Sequence, residues 1–167
     1  MDAYVAKLLN LLGSRDPLGV LSETPGVLAG IVAKHAPEFL QRRPFEGKWT
    51  PNEIIGHLAD TEWVFGFRVR MILCHEEPQI LAMDQDLWVA GQRRNERQPT
   101  DQLAEFRTLR EINLALWRRM KPADLERAGL HAERGRETLA TMLRMEAGHD
   151  LSHIDQITRY IAALGPA

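Results

Sequence analysis

The sequence has a single cysteine, few aromatic residues and no long apolar run. Cys74 has no cysteine partner in the chain, so an intrachain disulfide is excluded, and this composition fits the reducing cytoplasm. No motif around Cys74 marks it as a nucleophile, and we interpret it as an ordinary helix residue. Aromatic residues make up 7% of the chain. Basic residues do not interleave with its tryptophans, which disfavours a nucleic-acid stacking surface.

Neither sign of charge is in large excess. The 21 Lys and Arg residues and 23 Asp and Glu residues leave a formal net charge of -2, which argues against a phosphate-binding surface built on positive charge. No stretch approaches the roughly 20 apolar residues of a membrane span, and the N-terminus lacks the basic region of a signal peptide. We therefore expect a cytoplasmic protein without a membrane or nucleic-acid partner, folded as one domain over residues 1–167.

Proline and glycine separate a series of helical patterns. Asp16-Pro17 and Thr24-Pro25 each match an N-cap followed by proline at the first helical position, and the second pair predicts a helix from residue 25 to about residue 36. Thr50-Pro51 followed by Glu53 predicts a capping box and a helix that ends near residue 74. Further helices are predicted over residues 3–12, from residue 100 to about residue 120, and from the Thr138 cap to about residue 164.

Four long helical segments without an alternating strand pattern predict an all-α fold, namely a four-helix bundle. The stretch from His75 to Pro99 has an irregular pattern. We interpret it as a long connection with a turn of helix, and its length favours a crossover connection over simple up-down-up-down order. Along the helix that precedes it, one stripe consists of Ile54, Leu58, Thr61, Phe65, Arg68 and Ile72.

Three histidines are candidate metal ligands. His149 and His153 are one turn apart on the last predicted helix, so both imidazoles can reach one ion. Two neutral imidazoles within an apolar stripe need polar partners, and a shared cation supplies both. His57, on the interior face of the capped helix, is the best third ligand. We predict that the three side chains hold one divalent ion, Zn²⁺ or Ni²⁺, with an open position for water or a substrate.

Other polar residues on the predicted inner stripes are candidate catalytic residues. Glu146 lies one turn before His149; it either orients a ligand or acts as a base, or it forms an ion pair with Arg110, and both alternatives stay open. Arg110 and Asn113 interrupt an apolar stripe, so we expect them to face a polar pocket. The remaining histidines lie in or beside loops and are expected to be exposed: His35, His75 and His131.

Two stretches of the chain resemble the signature of the DinB-like superfamily of metal-binding four-helix bundles. Residues 48–62 are similar to its W-[ST]-x-x-E-I-x-x-H-L-x-D-x-E motif, and residues 148–157 are similar to its H-D-x-x-H-x-x-Q-I element. The resemblance extends from about residue 21 to residue 164. It implies one divalent ion, commonly nickel or zinc, at His57, His149 and His153, and a frequent homodimer.

Characterised branches of that superfamily are S-transferases that use bacillithiol or mycothiol, and an isomerase that depends on mycothiol. The resemblance therefore implies a small-molecule substrate and a low-molecular-weight thiol whose sulfur binds the metal as a thiolate. Three functions stay open: a metal-dependent thiol S-transferase, which we favour, a metal-dependent hydrolase, and a stress-induced metal-binding module without catalysis. If Glu146 forms no ion pair with Arg110, the hydrolase is favoured. If a fourth protein side chain binds the metal, the module without catalysis is favoured.

Overall fold

The computed structural model describes residues 2–166, in which helices predominate. The helices are α1 (Ala3–Leu12), α2 (Pro17–Lys34), α3 (Pro37–Leu40), α4 (Pro51–Cys74), α5 (Gln85–Gly91), α6 (Pro99–Trp117), α7 (Pro122–Leu125) and α8 (Leu139–Leu164), with a 3-10 turn at Arg94–Glu96. The strands are β1 (Gln79–Ile80), β2 (Ala128–His131) and β3 (Gly135–Thr138). None of the helices described in this range is long and apolar enough to cross a membrane.

The four long helices α2, α4, α6 and α8 form the bundle. Helix α4 packs against α6 and α8, and α2 packs against the same two helices, so α2 and α4 occupy opposite corners. The short helix α1 lies against α8. The connection from α4 to α6 carries β1, α5 and the 3-10 turn. The prediction of an all-α four-helix bundle is confirmed.

Local capping signals start the two helices that carry the histidines. The Thr50 hydroxyl accepts a hydrogen bond from the Glu53 amide, and the Glu53 carboxylate accepts one from the Thr50 amide, which completes the predicted capping box. Thr138 caps α8 in the same way by accepting from the Thr141 amide. Gly148 allows α1 to lie directly on α8, since a Cβ there would be 2.2 Å from the Leu8 carbonyl oxygen.

The predicted helix start at Pro25 is wrong. Helix α2 begins at Pro17, where the Asp16 carboxylate accepts from the amides of the first turn, and it continues through Pro25. Proline lacks the N–H that would bond to the carbonyl of residue 21, four positions earlier. That carbonyl instead accepts a 2.9 Å hydrogen bond from Arg110 Nη1 on α6. A tertiary donor therefore compensates for the backbone bond that Pro25 cannot make.

The expectation that the chain holds no strands is also wrong. β2 pairs in parallel with β1 and antiparallel with β3, and the three form one small sheet. The strands have two to four residues each, too short for an alternating pattern to stand out in the sequence. The sheet matters for function because it places β2 beside the interior face of α4.

Candidate metal centre

Three histidine side chains converge where α4 and α8 pack together. His57 lies on α4, and His149 and His153 lie on successive turns of α8. The Nε2 atom of His149 is 3.1 Å from Nε2 of His57 and 3.0 Å from Nε2 of His153. One ligand atom from each residue lies within 4.8 Å of the other two. The structure thus brings the three predicted ligands to one point.

The donor set fits a divalent metal ion. Metal–nitrogen bonds of about 2.1 Å place neighbouring ligand nitrogens roughly 3.0–3.4 Å apart in octahedral or tetrahedral geometry, close to the separations seen here. Among the described residues, the three Nε2 atoms lie at hydrogen-bond distance only from one another. A cation between them would give each nitrogen a partner. The group contains three protein donors, which leaves coordination positions for another ligand.

All three imidazoles are held in the neutral form that binds metals. Burial lowers the pKa of His57 and of His149 well below 6.5, and the nearby His153 lowers both further. Burial also lowers the pKa of His153 to about 4, although its hydrogen bond with Gln156 opposes the shift. A metal ion would therefore displace no proton from these rings near neutral pH.

Neighbouring side chains fix the orientation of two of the rings. His153 Nδ1 lies 2.8 Å from Oε1 of Gln156, whose amide nitrogen donates to the Tyr160 hydroxyl at 3.1 Å. The Trp49 ring packs on His57 with 4.8 Å between ring centroids, and it lies parallel to His153 at 6.3 Å. Gln156 is not among the predicted site residues, and its position one turn after His153 is the sequence signal that could have identified it.

Glu146 lies one turn before His149 but does not join the donor group. Its side chain is buried, with Oε2 accepting from the Trp117 indole at 3.1 Å and Oε1 without a hydrogen-bond partner among the described residues. Burial and the neighbouring Glu62 raise the pKa of Glu146 well above its ordinary value, and the opposing charge of Arg110 does not cancel this. Burial therefore favours the protonated form of the Glu146 carboxyl.

Arg110 forms ion pairs with two other carboxylates. It donates to Glu62 at 2.7 and 3.0 Å and to Asp150 at 2.6 and 3.1 Å, and its fifth N–H binds the Leu21 carbonyl. Burial lowers its pKa, but the two carboxylates outweigh burial and hold the pKa above its ordinary value. All five guanidinium donors are used within the protein. Arg110 therefore has no donor left for a substrate.

Asn113 belongs to the same buried network as Arg110. Its amide nitrogen donates to the backbone carbonyl and to the side chain of Glu62, and its Oδ1 accepts from Arg70. Neither Asn113 nor Arg110 lines the cavity beside the histidines. The two polar residues that interrupt the apolar stripe of α6, Arg110 and Asn113, thus bind buried charged groups inside the bundle.

A cavity of about 290 Å³ opens beside the histidines, and His57 and His149 are among its lining residues. Its apolar wall includes Leu8, Phe65 and Met145. His131 also lines it, and the prediction that His131 is exposed is wrong. Only 3% of that side chain is exposed, because it lies on β2 within the small sheet. Of the other two histidines expected at the surface, His75 is exposed and His35 is half-buried.

Comparisons with known proteins identify the family of this chain and agree with its fold. The sequence profile of the DinB superfamily matches residues 21–157. A "Putative metal-dependent hydrolase" of Bacillus licheniformis is 27% identical over 149 residues, covering 89% of this chain and 85% of that protein. The "Putative metal-dependent hydrolase YfiT" of Bacillus subtilis is 26% identical over 147 residues, covering 87% of this chain and 83% of YfiT.

Two solved structures share the fold. Bacillus subtilis YfiT, described as "a probable metal-dependent hydrolase with an unusual four-helix bundle topology", superposes with a TM-score of 0.84 at 26% identity. The match covers 90% of this chain and 87% of YfiT. A mycothiol-dependent maleylpyruvate isomerase superposes with a TM-score of 0.63 at 13% identity, over 95% of this chain and 63% of the isomerase. The second likeness shows a shared fold.

Proposed function

Since this chain belongs to the DinB superfamily, we propose that it is a metal-dependent enzyme, with hydrolysis as the reaction that its site supports best. The observation that carries this proposal is the convergence of His57, His149 and His153 with three protein donors and an adjoining cavity. A divalent ion in such a site supplies Lewis acidity and makes a ligated water acidic near neutral pH. The relatives named as metal-dependent hydrolases support the same assignment.

The protein's own residues would hold and tune this site. Gln156 keeps the hydrogen of His153 on Nδ1, so Nε2 presents its lone pair. Glu146 lies one helical turn from His149, and burial raises the pKa of its carboxyl. Because Arg110 is bound to Glu62 and Asp150, Glu146 is not tied in an ion pair. This freedom from Arg110 favours the hydrolase, but Glu146 does not line the cavity, so we assign it no contact with the substrate.

A thiol S-transferase is the second candidate. The apolar wall formed by Leu8, Phe65 and Met145 beside the histidines suits a soft sulfur ligand from a low-molecular-weight thiol such as bacillithiol or mycothiol. A non-catalytic metal-binding module is less well supported, because no fourth His, Cys, Asp or Glu donor joins the group within residues 2–166. The nitrogen separations suit either zinc or nickel.

Metal content tests the first part of the proposal. Elemental analysis of the purified protein should find about one zinc or nickel ion per chain, and the His153→Ala variant should lose it. His75→Ala is the matched control, because His75 is exposed and outside the group. Equal metal content in all three proteins would overturn the proposed site.

A substrate screen tests the reaction. Esters, amides and phosphoesters would be assayed for hydrolysis, and bacillithiol, mycothiol and glutathione would be assayed with simple electrophiles. We expect hydrolysis that is lost on chelation and in His149→Ala, and restored by adding metal to the wild type alone. Transfer of a thiol without hydrolysis would favour the second candidate. Turnover that survives both chelation and His149→Ala would overturn the metal mechanism.

We also propose that the protein is a homodimer, as the resemblance to its family implies. An apolar groove of about 550 Å³ is lined in part by exposed Trp63, Phe67, Leu81 and Trp88. Exposed apolar surfaces of this kind mark interaction sites on soluble proteins. Light scattering should give twice the 19.0 kDa chain mass for the wild type and a monomer for Phe67→Glu. A monomeric wild type would overturn this proposal.

A further inference from the structure

Arg68, on the wall of the cavity beside the histidines, is a buried cation without a direct ion-pair partner among the described residues. Its side chain is 8% exposed, and its Nη2 donates to the Leu81 carbonyl. Within residues 2–166, no carboxylate lies within 4.0 Å of its guanidinium. The other arginines with such low exposure, Arg94 and Arg110, are both bound to carboxylates. An unpaired buried charge is costly, so a residue of this kind needs another partner.

His131 faces the same cavity with an unsatisfied donor. Its Nδ1 accepts the backbone N–H of Glu133, so the hydrogen of the neutral ring is on Nε2. Nε2 is buried and has no hydrogen-bond partner among the described residues. Burial and the charge of Arg134 lower the pKa of His131, which keeps the ring neutral. A buried N–H without an acceptor destabilises the folded protein, and an acceptor on a ligand would remove this cost.

We propose that Arg68 and His131 form an anion-recognition subsite that binds the carboxylate of a small substrate whose reacting end lies at the three histidines. The subsite adds a substrate class to the proposed function. It rests on that function only because the reacting end of the substrate is placed at the three histidines. The cavity that joins the two ends has a volume of about 290 Å³. This is near the lower end of the roughly 300–1,000 Å³ typical of ligand pockets, so the substrate is small.

The charges of the cavity favour a carboxylate over a doubly charged phosphate. Arg68 supplies one free positive charge and a planar fork of donors, which matches a carboxylate. His131 adds a neutral N–H. Arg134 also lines the cavity, but it is already paired with the buried carboxylate of Glu137. The exposed Glu133 adds a negative charge at this wall, which disfavours a second negative charge on the ligand.

Calorimetric titration with glutaramate, which carries one carboxylate and one amide, and with its neutral analogue glutaramide tests the subsite. The titration uses metal-free protein, so that the carboxylate cannot bind a metal ion instead of Arg68. We expect the wild type to bind glutaramate at least about tenfold more tightly than glutaramide, because a charge-assisted hydrogen bond contributes more than a neutral one. Arg68→Gln should remove this preference and His131→Phe should weaken it. Arg136→Gln is the matched control, because that arginine is exposed and pairs with Glu77 outside the cavity. Inorganic phosphate should bind more weakly than glutaramate.

Equal binding of glutaramate and glutaramide, or wild-type affinity in Arg68→Gln, would overturn the subsite. Arg68→Lys keeps the charge and should retain part of the preference, and circular dichroism checks that each variant is folded. Metal uptake and activity are measured separately on the same preparations. Protein that takes up metal and is active, but whose metal-free form shows no carboxylate preference, would reject the subsite alone. A preference that depends on Arg68 in protein that never takes up metal would support the subsite and reject the metal-dependent enzyme.

Discussion

Gln156 holds His153 through a 2.8 Å hydrogen bond between its side-chain Oε1 and the ring Nδ1. Because the amide oxygen can only accept, the imidazole hydrogen stays on Nδ1 and the Nε2 lone pair points at His149 and His57. The second bond of Gln156, from its Nε2 to the Tyr160 hydroxyl, fixes the amide itself. A residue outside the donor group thus sets the tautomer of a metal ligand.

We expect Gln156→Leu to weaken metal binding by about 10–100-fold, as is typical when the partner of a ligating histidine is removed. Competition with a chromogenic chelator would measure the affinity for zinc. Gln156→Glu retains an acceptor and should preserve tight binding. Asp155→Asn, an exposed change on the same helical turn, is the control. Wild-type affinity in Gln156→Leu would show that His153 is oriented by other contacts.

Gly148→Ala should separate α1 from α8. The added Cβ would lie 2.2 Å from the Leu8 carbonyl oxygen, a backbone atom that cannot move without shifting the whole helix. We expect a loss of about 1–3 kcal/mol in the free energy of unfolding, the usual cost of overpacking. Gly26→Ala is the matched control, because a Cβ there meets nothing within 4 Å. Removing a helix glycine at that site should stabilise the protein by up to about 1 kcal/mol. Urea denaturation of both variants measures the difference.

Arg110→Met should be among the most destabilising single changes in the bundle. It would leave the carboxylates of Glu62 and Asp150 buried without their cation, at a cost of about 3–5 kcal/mol. It would also leave the Leu21 carbonyl without its donor. Arg119→Met, at an exposed position on the loop after α6, should change the free energy of unfolding by less than about 0.5 kcal/mol. Similar unfolding curves for the two variants would contradict the structural role of Arg110.

The parts of the fold that local signals determine could be predicted from the sequence. Helix α4 starts where its capping box predicts, because Thr50 and Glu53 bond within one helical turn. Helix α8 likewise starts at its predicted cap, because Thr138 accepts a hydrogen bond from the amide three residues later. His149 and His153 share a helical face by spacing alone. Their contact with His57 could be predicted because the apolar stripes of α4 and α8 both face the interior of the bundle.

The parts that depend on distant residues could not be predicted in this way. Thr24-Pro25 matches a helix start locally, but helix α2 continues through Pro25 because Arg110, 89 positions from Leu21, donates to the Leu21 carbonyl. His131 has the local sequence of a loop residue, and its burial depends on the pairing of β2 with the two-residue strand β1. Arg68 interrupts the apolar stripe of α4, and that signal could have identified it as a polar wall of the site.

The affinity of the subsite for a carboxylate should fall at high pH. Burial and the charge of Arg134 lower the pKa of Arg68 to about 10, although the charges of Glu137 and Glu133 oppose the shift. A bound carboxylate favours the charged guanidinium, so the pKa of Arg68 is higher in the complex than in the free protein. Binding is therefore coupled to proton uptake above pH 10, where the affinity for glutaramate should decrease towards tenfold per pH unit. Between pH 7 and pH 9 the affinity should stay constant.

Chemical-shift titration of metal-free protein with glutaramate measures this pH dependence without competition from hydroxide at the metal. Glutaramide should show no such decrease, and a constant glutaramate affinity up to pH 11 would mean that another group binds the carboxylate.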